Sequence, residues 1–227
     1  MRFEDLNWFD VENYLQKDDR LMLVIGSCEQ HGYLSLLTDT KIPQALADAA
    51  SRRTSVLVAP ALNFGASPYF LKYPGTLSLR TGTLSAIVED LVRSAYGYGF
   101  RRVLVLNGHG GNSPAMGRLY ELANELTDLR IAWYAWWQSH SVEAVAIQHE
   151  LKSYHGGWIE AYPFTHVAEL PEGEKRPPHV PGMVSAEEAR QLYGDGVFGG
   201  RYKVDEAIMD EIFAAALEDV LQLLKFE

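Results

Sequence analysis

Three short stretches gather the side chains that can do chemistry. In Ser27-Cys28-Glu29-Gln30-His31-Gly32 a carboxylate stands two residues before an imidazole, and Asp39 follows along the same loop. Residues two apart in an extended segment point to the same side, so Glu29 and His31 can face one point. With Asp39 they suit a divalent cation, and an Asp can bridge two ions, one oxygen for each. The competing reading is a loop of solvated polar side chains. Asn107-Gly108-His109-Gly110-Gly111-Asn112 surrounds one histidine with three glycines, which permit close backbone approach to a ligand. A tight turn with an incidental histidine is the plain alternative. A phosphate cradle would need G-x-G-x-x-G, and Ser113 stands where the last glycine belongs. The third stretch, His155-Gly156-Gly157-Trp158-Ile159-Glu160, pairs a proton-transferring histidine with a metal-binding or orienting carboxylate. It also reads as a helix start with an exposed His and Glu.

These stretches need a frame that brings them together. Short apolar runs at 21–25, 56–59, 103–106 and 131–136 read as strands buried on both faces. Helical periodicity covers 42–52, 83–98, a segment capped by Asn112 or Ser113, and 204–224. The alternation predicts an α/β fold with a mostly parallel sheet. In such folds ligands bind beyond the carboxyl ends of the strands, which is where Glu29, His31 and His109 fall. Stretches 63–80 and 170–183 are irregular and rich in Gly and Pro, and long ordered loops tend to line sites. The first, with Tyr69, Phe70, Leu71 and Tyr73, is expected to close a pocket or pack on a neighbouring subunit. In the aromatic run, Trp133 and Trp137 are expected in the core and Trp136 on a pocket wall.

Composition narrows the chemistry. The 227 residues favour one domain, 1–227, and 47% hydrophobic with 22% charged residues is a globular balance. Thirty acids against 20 Lys and Arg give a net charge of -10, a poor match for nucleic acid or an anionic membrane surface. One cysteine, Cys28, excludes an internal disulfide and leaves nitrogen and oxygen as metal donors. Cys28 itself reads as a small residue at a strand end rather than a nucleophile. His140, His149, His166 and His179 have no partner at a telling spacing and are expected at the surface or in ordinary polar contacts. No apolar run is long enough for a membrane span, and the first residues lack a signal-peptide pattern. A cytoplasmic protein is expected.

Taken together, Gly26-Ser27-x-Glu29-Gln30-His31-Gly32, Thr38-Asp39, Asn107-Gly108-His109-Gly110-Gly111-Asn112 and His155-Gly156-Gly157-x-x-Glu160 resemble the creatininase (creatinine amidohydrolase) family, in the family's order. The resemblance implies a three-layer α/β/α sandwich, often hexameric. It implies one or two divalent ions, zinc first, with manganese or iron as alternatives. The positions matching the family's metal ligands are Glu29, His31, Asp39 and His109, with Asp39 as the bridge. Creatininase has a further Glu ligand two residues after the glycine-loop histidine. Here that position is Gly111, so Glu160 is the candidate replacement. His155 matches the proton-transferring histidine. Tyr33 to Leu37 and Ala161-Tyr162 depart from the family's usual pocket residues, which argues against creatinine as the substrate.

The activity expected from this set is metal-dependent hydrolysis of a non-peptide or small cyclic C–N amide bond in a small molecule. His155 acts as proton donor, and Glu160 as ligand or as orienter of His155. Gly110, Gly111 and Asn112 are the expected oxyanion donors. The missing ligand at 111 motivates an alternative, a metal- or ligand-binding regulatory protein on the same scaffold. A nucleotide-binding module is a third reading.

Overall fold

The computed structural model describes residues 1–180 and 182–227. Of the irregular stretch 170–183, Pro181 therefore lies outside the described residues.

Four strands form one sheet: β1 (Arg20–Ile25), β2 (Leu57–Val58), β3 (Arg102–Asn107) and β4 (Arg130–Ala135). Their spatial order is β2-β1-β3-β4, and every pairing is parallel. Met22, Val24, Leu104 and Leu106 point to one face, and Leu23, Ile25, Val103 and Val105 to the other. Both sets are buried, so each central strand must be apolar throughout. A small antiparallel pair, β5 (Glu174–Lys175) with β6 (Gly200–Arg201), lies outside this sheet.

Helices cover both faces. On one, α3 (Thr81–Tyr98) and α4 (Ala115–Glu125) pack through Leu84, Val88, Val92, Leu119 and Leu122. On the other lie α2 (Thr38–Thr54), α5 (His140–Gln148) and α7 (Glu206–Leu223), through Ile42, Leu46, Val142, Ile212 and Val220. The result is the expected three-layer α/β/α arrangement. Three helices, α1 (Trp8–Leu15), α5 and α6 (Ala186–Tyr193), escape the periodicity reading. Helices α1 and α6 carry capping boxes, Asn7 with Asp10 and Ser185 with Glu188, and those are sequence-level start signals.

One boundary matters for the site. Helix α2 begins at Thr38, not at 42, so Asp39 sits in its first turn rather than in a loop. Its cap residue, Leu37, makes no side-chain cap bond, so the start carries no capping signature. Pro43 falls in the second turn, where its missing N–H leaves the Asp39 carbonyl without its usual intrahelical donor. The helix enters directly over the strand ends. A Cβ at Gly108 would fall inside the backbone carbonyl of Asp39, so only glycine lets the first turn seat there.

Candidate metal centre

Parallel pairing in register ends β1 and β3 side by side, at Ile25 opposite Asn107. The loop after β1 carries Glu29 and His31, and the loop after β3 carries His109. Asp39 descends from α2 between them. The chain returns after α5 to supply His155 and, from a 3-10 turn at Trp158–Glu160, Glu160. The six side chains meet, and all but His155 are buried residues.

Asp39 is at the middle. Its Oδ1 lies 2.8 Å from His31 Nε2, and its Oδ2 lies 3.0 Å from His109 Nδ1. Ser27 Oγ donates to Oδ2 at 2.7 Å. Glu29 Oε2 stands 3.4 Å from His109 Nε2, and Glu160 Oε1 stands 3.9 Å from His31 Nε2. His155 Nδ1 is 3.7 Å from Glu29 Oε1. Three groups bring one donor atom per residue within 4.8 Å of one another: Glu29–Asp39–His109, His31–Asp39–Glu160, and Glu29–His31–His155. The first two share only Asp39, which gives each of them a different oxygen.

Backbone carbonyls, which only accept, assign the imidazole tautomers. His31 Nδ1–H donates to Glu29 O at 3.1 Å, and His109 Nε2–H to Ala66 O at 3.0 Å. His155 Nε2 lies against Gln30, 3.1 Å from its O and 3.0 Å from its side-chain Nε2. Each ring is thus pinned at one nitrogen and turns the other inward, the outer-sphere pattern of metal-binding histidines. Two inward atoms, Glu29 Oε2 and His31 Nε2, have no hydrogen-bond partner among the described residues although both are buried. His31 Nε2 is close to Asp39, yet not aligned as a hydrogen bond. Orphaned buried polar atoms of this kind are costly unless something binds them. An all-oxygen-and-nitrogen donor set with two orphaned atoms fits one or two divalent cations of the zinc or manganese type.

The electrostatics agree. Burial alone would lower the His31 imidazole, but the Asp39 and Glu160 carboxylates outweigh it and raise it to about 10. Burial likewise opposes His109, and Glu29 and Asp39 lift it to about 9. For Asp39, burial would raise the carboxyl, but the two imidazoles hold it well below the usual range. Burial raises Glu29, and it raises Glu160 to about 7. Protons on His31 and His109 thus do the neutralising that a cation would do. His155 differs: burial and the neighbouring His31 push it well below the ordinary histidine range, so it is neutral at pH 7.

Gly111 touches this centre through what it lacks. A Cβ there would fall inside Ala66 O and crowd His109 Nε2, so no side chain fits on this backbone. Glu160 is the carboxylate that comes to His31, with its Oε2 held by the Gly156 N–H at 2.6 Å.

Two sequence expectations need correction. Asn112 cannot serve an oxyanion. Its Nδ2 donates to Gly26 O and Asn107 Oδ1, and its Oδ1 accepts from Ala66 N–H, so the buried amide is consumed in tying three loops together. Gly110 and Gly111 do line the cavity beside the centre. The tryptophans are exchanged: Trp136 is core, 1% exposed, and Trp137 walls the cavity. The alternation of β4 stops at Ala135, and a 3-10 turn at Trp136–Gln138 turns the first ring inward.

The cavity above the centre measures about 440 Å³. Ser67, Tyr69 and Phe70 of the 63–80 stretch line it, with Tyr154 and Phe198. The sequence marks that stretch but not Ser67, whose Oγ reaches His109 Nε2 at 3.2 Å. No motif marks Phe198 either. None of the described residues of the 170–183 stretch lines the cavity. His140 is exposed, His149 pairs with Glu211, and His166 bonds Ala161 O. Cys28 bonds Gly75 O and stays outside the centre.

A family model described as "Creatininase: Creatinine amidohydrolase" matches residues 4–224. The creatinine amidohydrolase of Pseudomonas putida is 33% identical over 135 residues, 56% of this chain and 51% of that protein. The mycofactocin precursor peptide peptidase of Mycobacterium tuberculosis (strain ATCC 25618 / H37Rv) is 37% identical over 109 residues, 43% of each chain. This chain spans about half the length of these curated relatives. A solved structure described as "Creatininase Mn" superposes with a TM-score of 0.83 at 23% identity, covering 97% of this chain and 96% of that one.

Proposed function

The chain belongs to the creatininase family, and from that premise we propose that it is a metal-dependent amidohydrolase cleaving a non-peptide or small cyclic C–N amide bond in a small molecule. The observation that carries the reading is Asp39, placed between two donor sets with one oxygen toward each.

Glu29, Asp39 and His109 would hold one divalent ion, and His31, Asp39 and Glu160 a second. Zinc or manganese suits these donors, and the similar solved creatininase is described with manganese. Bound there, such ions supply Lewis acidity to water and to the scissile carbonyl. The remaining work falls to the chain. His155, neutral and with Nε2 held against Gln30, turns Nδ1 toward the centre to accept a proton from the attacking water. It then returns that proton to the departing nitrogen as the C–N bond breaks, a role worth typically ~10²–10⁴-fold. Glu160, braced by the Gly156 N–H, sits between ion holding and the His155 segment. Gly110 and Gly111 are the backbone positions from which an oxyanion would be steadied.

The return of α7 onto α2 supports reading 1–227 as one domain. Exposed Trp8 and Tyr98 beside an apolar cavity support a homo-oligomer, a hexamer by family resemblance. No helix among the described residues is long and apolar enough to cross a membrane. We place the chain in the cytoplasm, in keeping with its single unpaired thiol.

The test is His109→Ala, with metal content and turnover of a small-amide panel measured together. The proposal expects both to fall. Full metal content with full activity would remove His109, and the centre with it, from the reaction.

A further inference from the structure

The wall of the cavity carries information that the metal centre does not. One side is aromatic. Phe70 stacks on the His155 ring with centroids 4.8 Å apart, and Phe198 leans on the same ring at 4.9 Å. Phe198 is backed by Tyr193, stacked at 4.1 Å, and Tyr69 packs edge-on against Tyr193 and Phe198. Trp137 and Tyr154 line other parts of the wall. These rings are braced by one another, so they form a set apolar surface rather than a loose one. Tyr69, Trp137, Tyr154 and Phe198 remain part-exposed, which leaves ring surface for a ligand to cover.

The second feature is charge. Among the described residues, no Lys or Arg lines this cavity. Its only ionisable lining groups are Tyr69, Tyr154 and the centre itself: Glu29, Asp39, His109, His155 and Glu160. Recognition of a carboxylate or phosphate in a partly dry pocket rests on Arg or Lys hydrogen bonds. Without them, a distal anion would lose its hydration and gain no charged partner. The chain as a whole is acidic as well, with a net charge of -10. An apolar ring on the same position would cover aromatic surface instead, and about 440 Å³ is room for one.

We propose that this pocket selects an uncharged amide whose non-reacting end is apolar and ring-sized, seated on the Tyr69, Phe198, Trp137 and Tyr154 walls, and that it discriminates against amides whose non-reacting end is anionic. The inference rests on the hydrolytic reading above, since it takes the reacting amide to lie at the Glu29, Asp39 and His109 end of the cavity.

Binding tests it without turnover. Acetohydroxamate, benzohydroxamate and 4-carboxybenzohydroxamate share one chelating head and differ only at the far end. Their dissociation constants are measured by calorimetry on the metal-loaded protein, with metal content determined on the same sample. Benzohydroxamate is expected to bind roughly tenfold or more tighter than acetohydroxamate, and the 4-carboxy compound is expected to lose most of that gain. In Phe198→Ala the ratio between the first two is expected to shrink several-fold. Equal affinity of acetohydroxamate and benzohydroxamate for the metal-loaded wild type overturns the inference, and so does a 4-carboxy compound as tight as benzohydroxamate. A protein that takes up no metal and binds none of the three contradicts the hydrolytic reading, and the substrate class falls with it. The metal determination separates the two failures.

Discussion

Glu29 and His109 approach Asp39 from one side, and His31 and Glu160 approach it from the other, but the two halves are braced by different structure. The first half takes Glu29 from the loop after β1 and His109 from the turn right after β3, and His109 is held at Nε2 by both Ala66 O and Ser67 Oγ. The missing side chain at Gly111 lets that carbonyl come so close. The second half has His31 pinned by one carbonyl of its own loop, and Glu160 arrives from a short 3-10 turn far along the chain. Glu160 Oε1 stops 3.9 Å from His31 Nε2, against 3.4 Å between Glu29 Oε2 and His109 Nε2. Donors on a rigid sheet edge are placed more firmly than donors on a connecting turn. The first half should therefore hold its ion more tightly.

Asp39→Asn bears on both halves at once and should have the largest effect. The account expects near-complete loss of metal and a fall in turnover of at least about a hundredfold, beyond what loss of an outer-sphere partner removes. Metal content by mass spectrometry and kcat/KM on one amide substrate are the readouts. Retention of two ions per chain would break the idea of a shared bridge.

Glu160→Gln should separate the halves. It is expected to empty the His31 side and leave the Glu29–His109 side filled, so metal content falls from two ions toward one. A chelator titration of the wild type should likewise remove one ion before the other. Loss of both ions together in either experiment would mean that the halves are not distinct.

The pH dependence sharpens the comparison at lower amplitude. In the metal-free fold, His31 and His109 are raised to about 10 and about 9. The folded state then binds more protons than the unfolded one, whose histidines titrate near ~6.5. Stability from this source is complete below that value and is lost as pH rises toward about 9 to 10. Burial raises Glu160 to about 7, which acts in the same direction. The Tm of metal-free protein should fall across this range. Ion binding at pH 7 should release protons, because imidazolium must become neutral imidazole to bind. Calorimetry in buffers of different ionisation enthalpy reads the release, and an enthalpy independent of buffer would contradict it.

Ser67→Ala should have the smallest effect and touch only the first half. An outer-sphere bond to a ligand histidine is worth roughly 10–100-fold in affinity. Because Ala66 O still holds His109, the lower end is expected, read as weaker binding of the tighter ion. An equal weakening of both ions would show that Ser67 acts on the fold rather than on one half.

Much of this was legible in the chain. The four apolar runs became the four parallel strands, with boundaries within a few residues. Strand runs are legible because a strand covered on both faces has no polar residue to blur it. Glu29, His31, Asp39, His109 and Glu160 were named from short motifs and do come together, since parallel pairing puts successive strand ends on one edge. What the sequence hid depends on contacts between distant segments. Asn112 read as a free amide, yet Gly26, Ala66 and Asn107 all claim it. Trp136 and Trp137 exchanged roles because a strand ended one residue before alternation would have continued. Ser67 and Phe198 lie in stretches without motif or period, and only the folded chain sets them against His109 and His155. Helices α1 and α6 are a different case, because their capping boxes were present to be read.

The central claim is that Asp39 bridges two ions in a single centre. Anomalous diffraction from crystals of the metal-loaded protein, collected on both sides of the manganese and zinc edges, tests it most directly. The account predicts two peaks, one among Glu29, Asp39 and His109 and the other among His31, Asp39 and Glu160. A fully loaded crystal with no peak beside Asp39, or with its ions bound elsewhere on the chain, would contradict it.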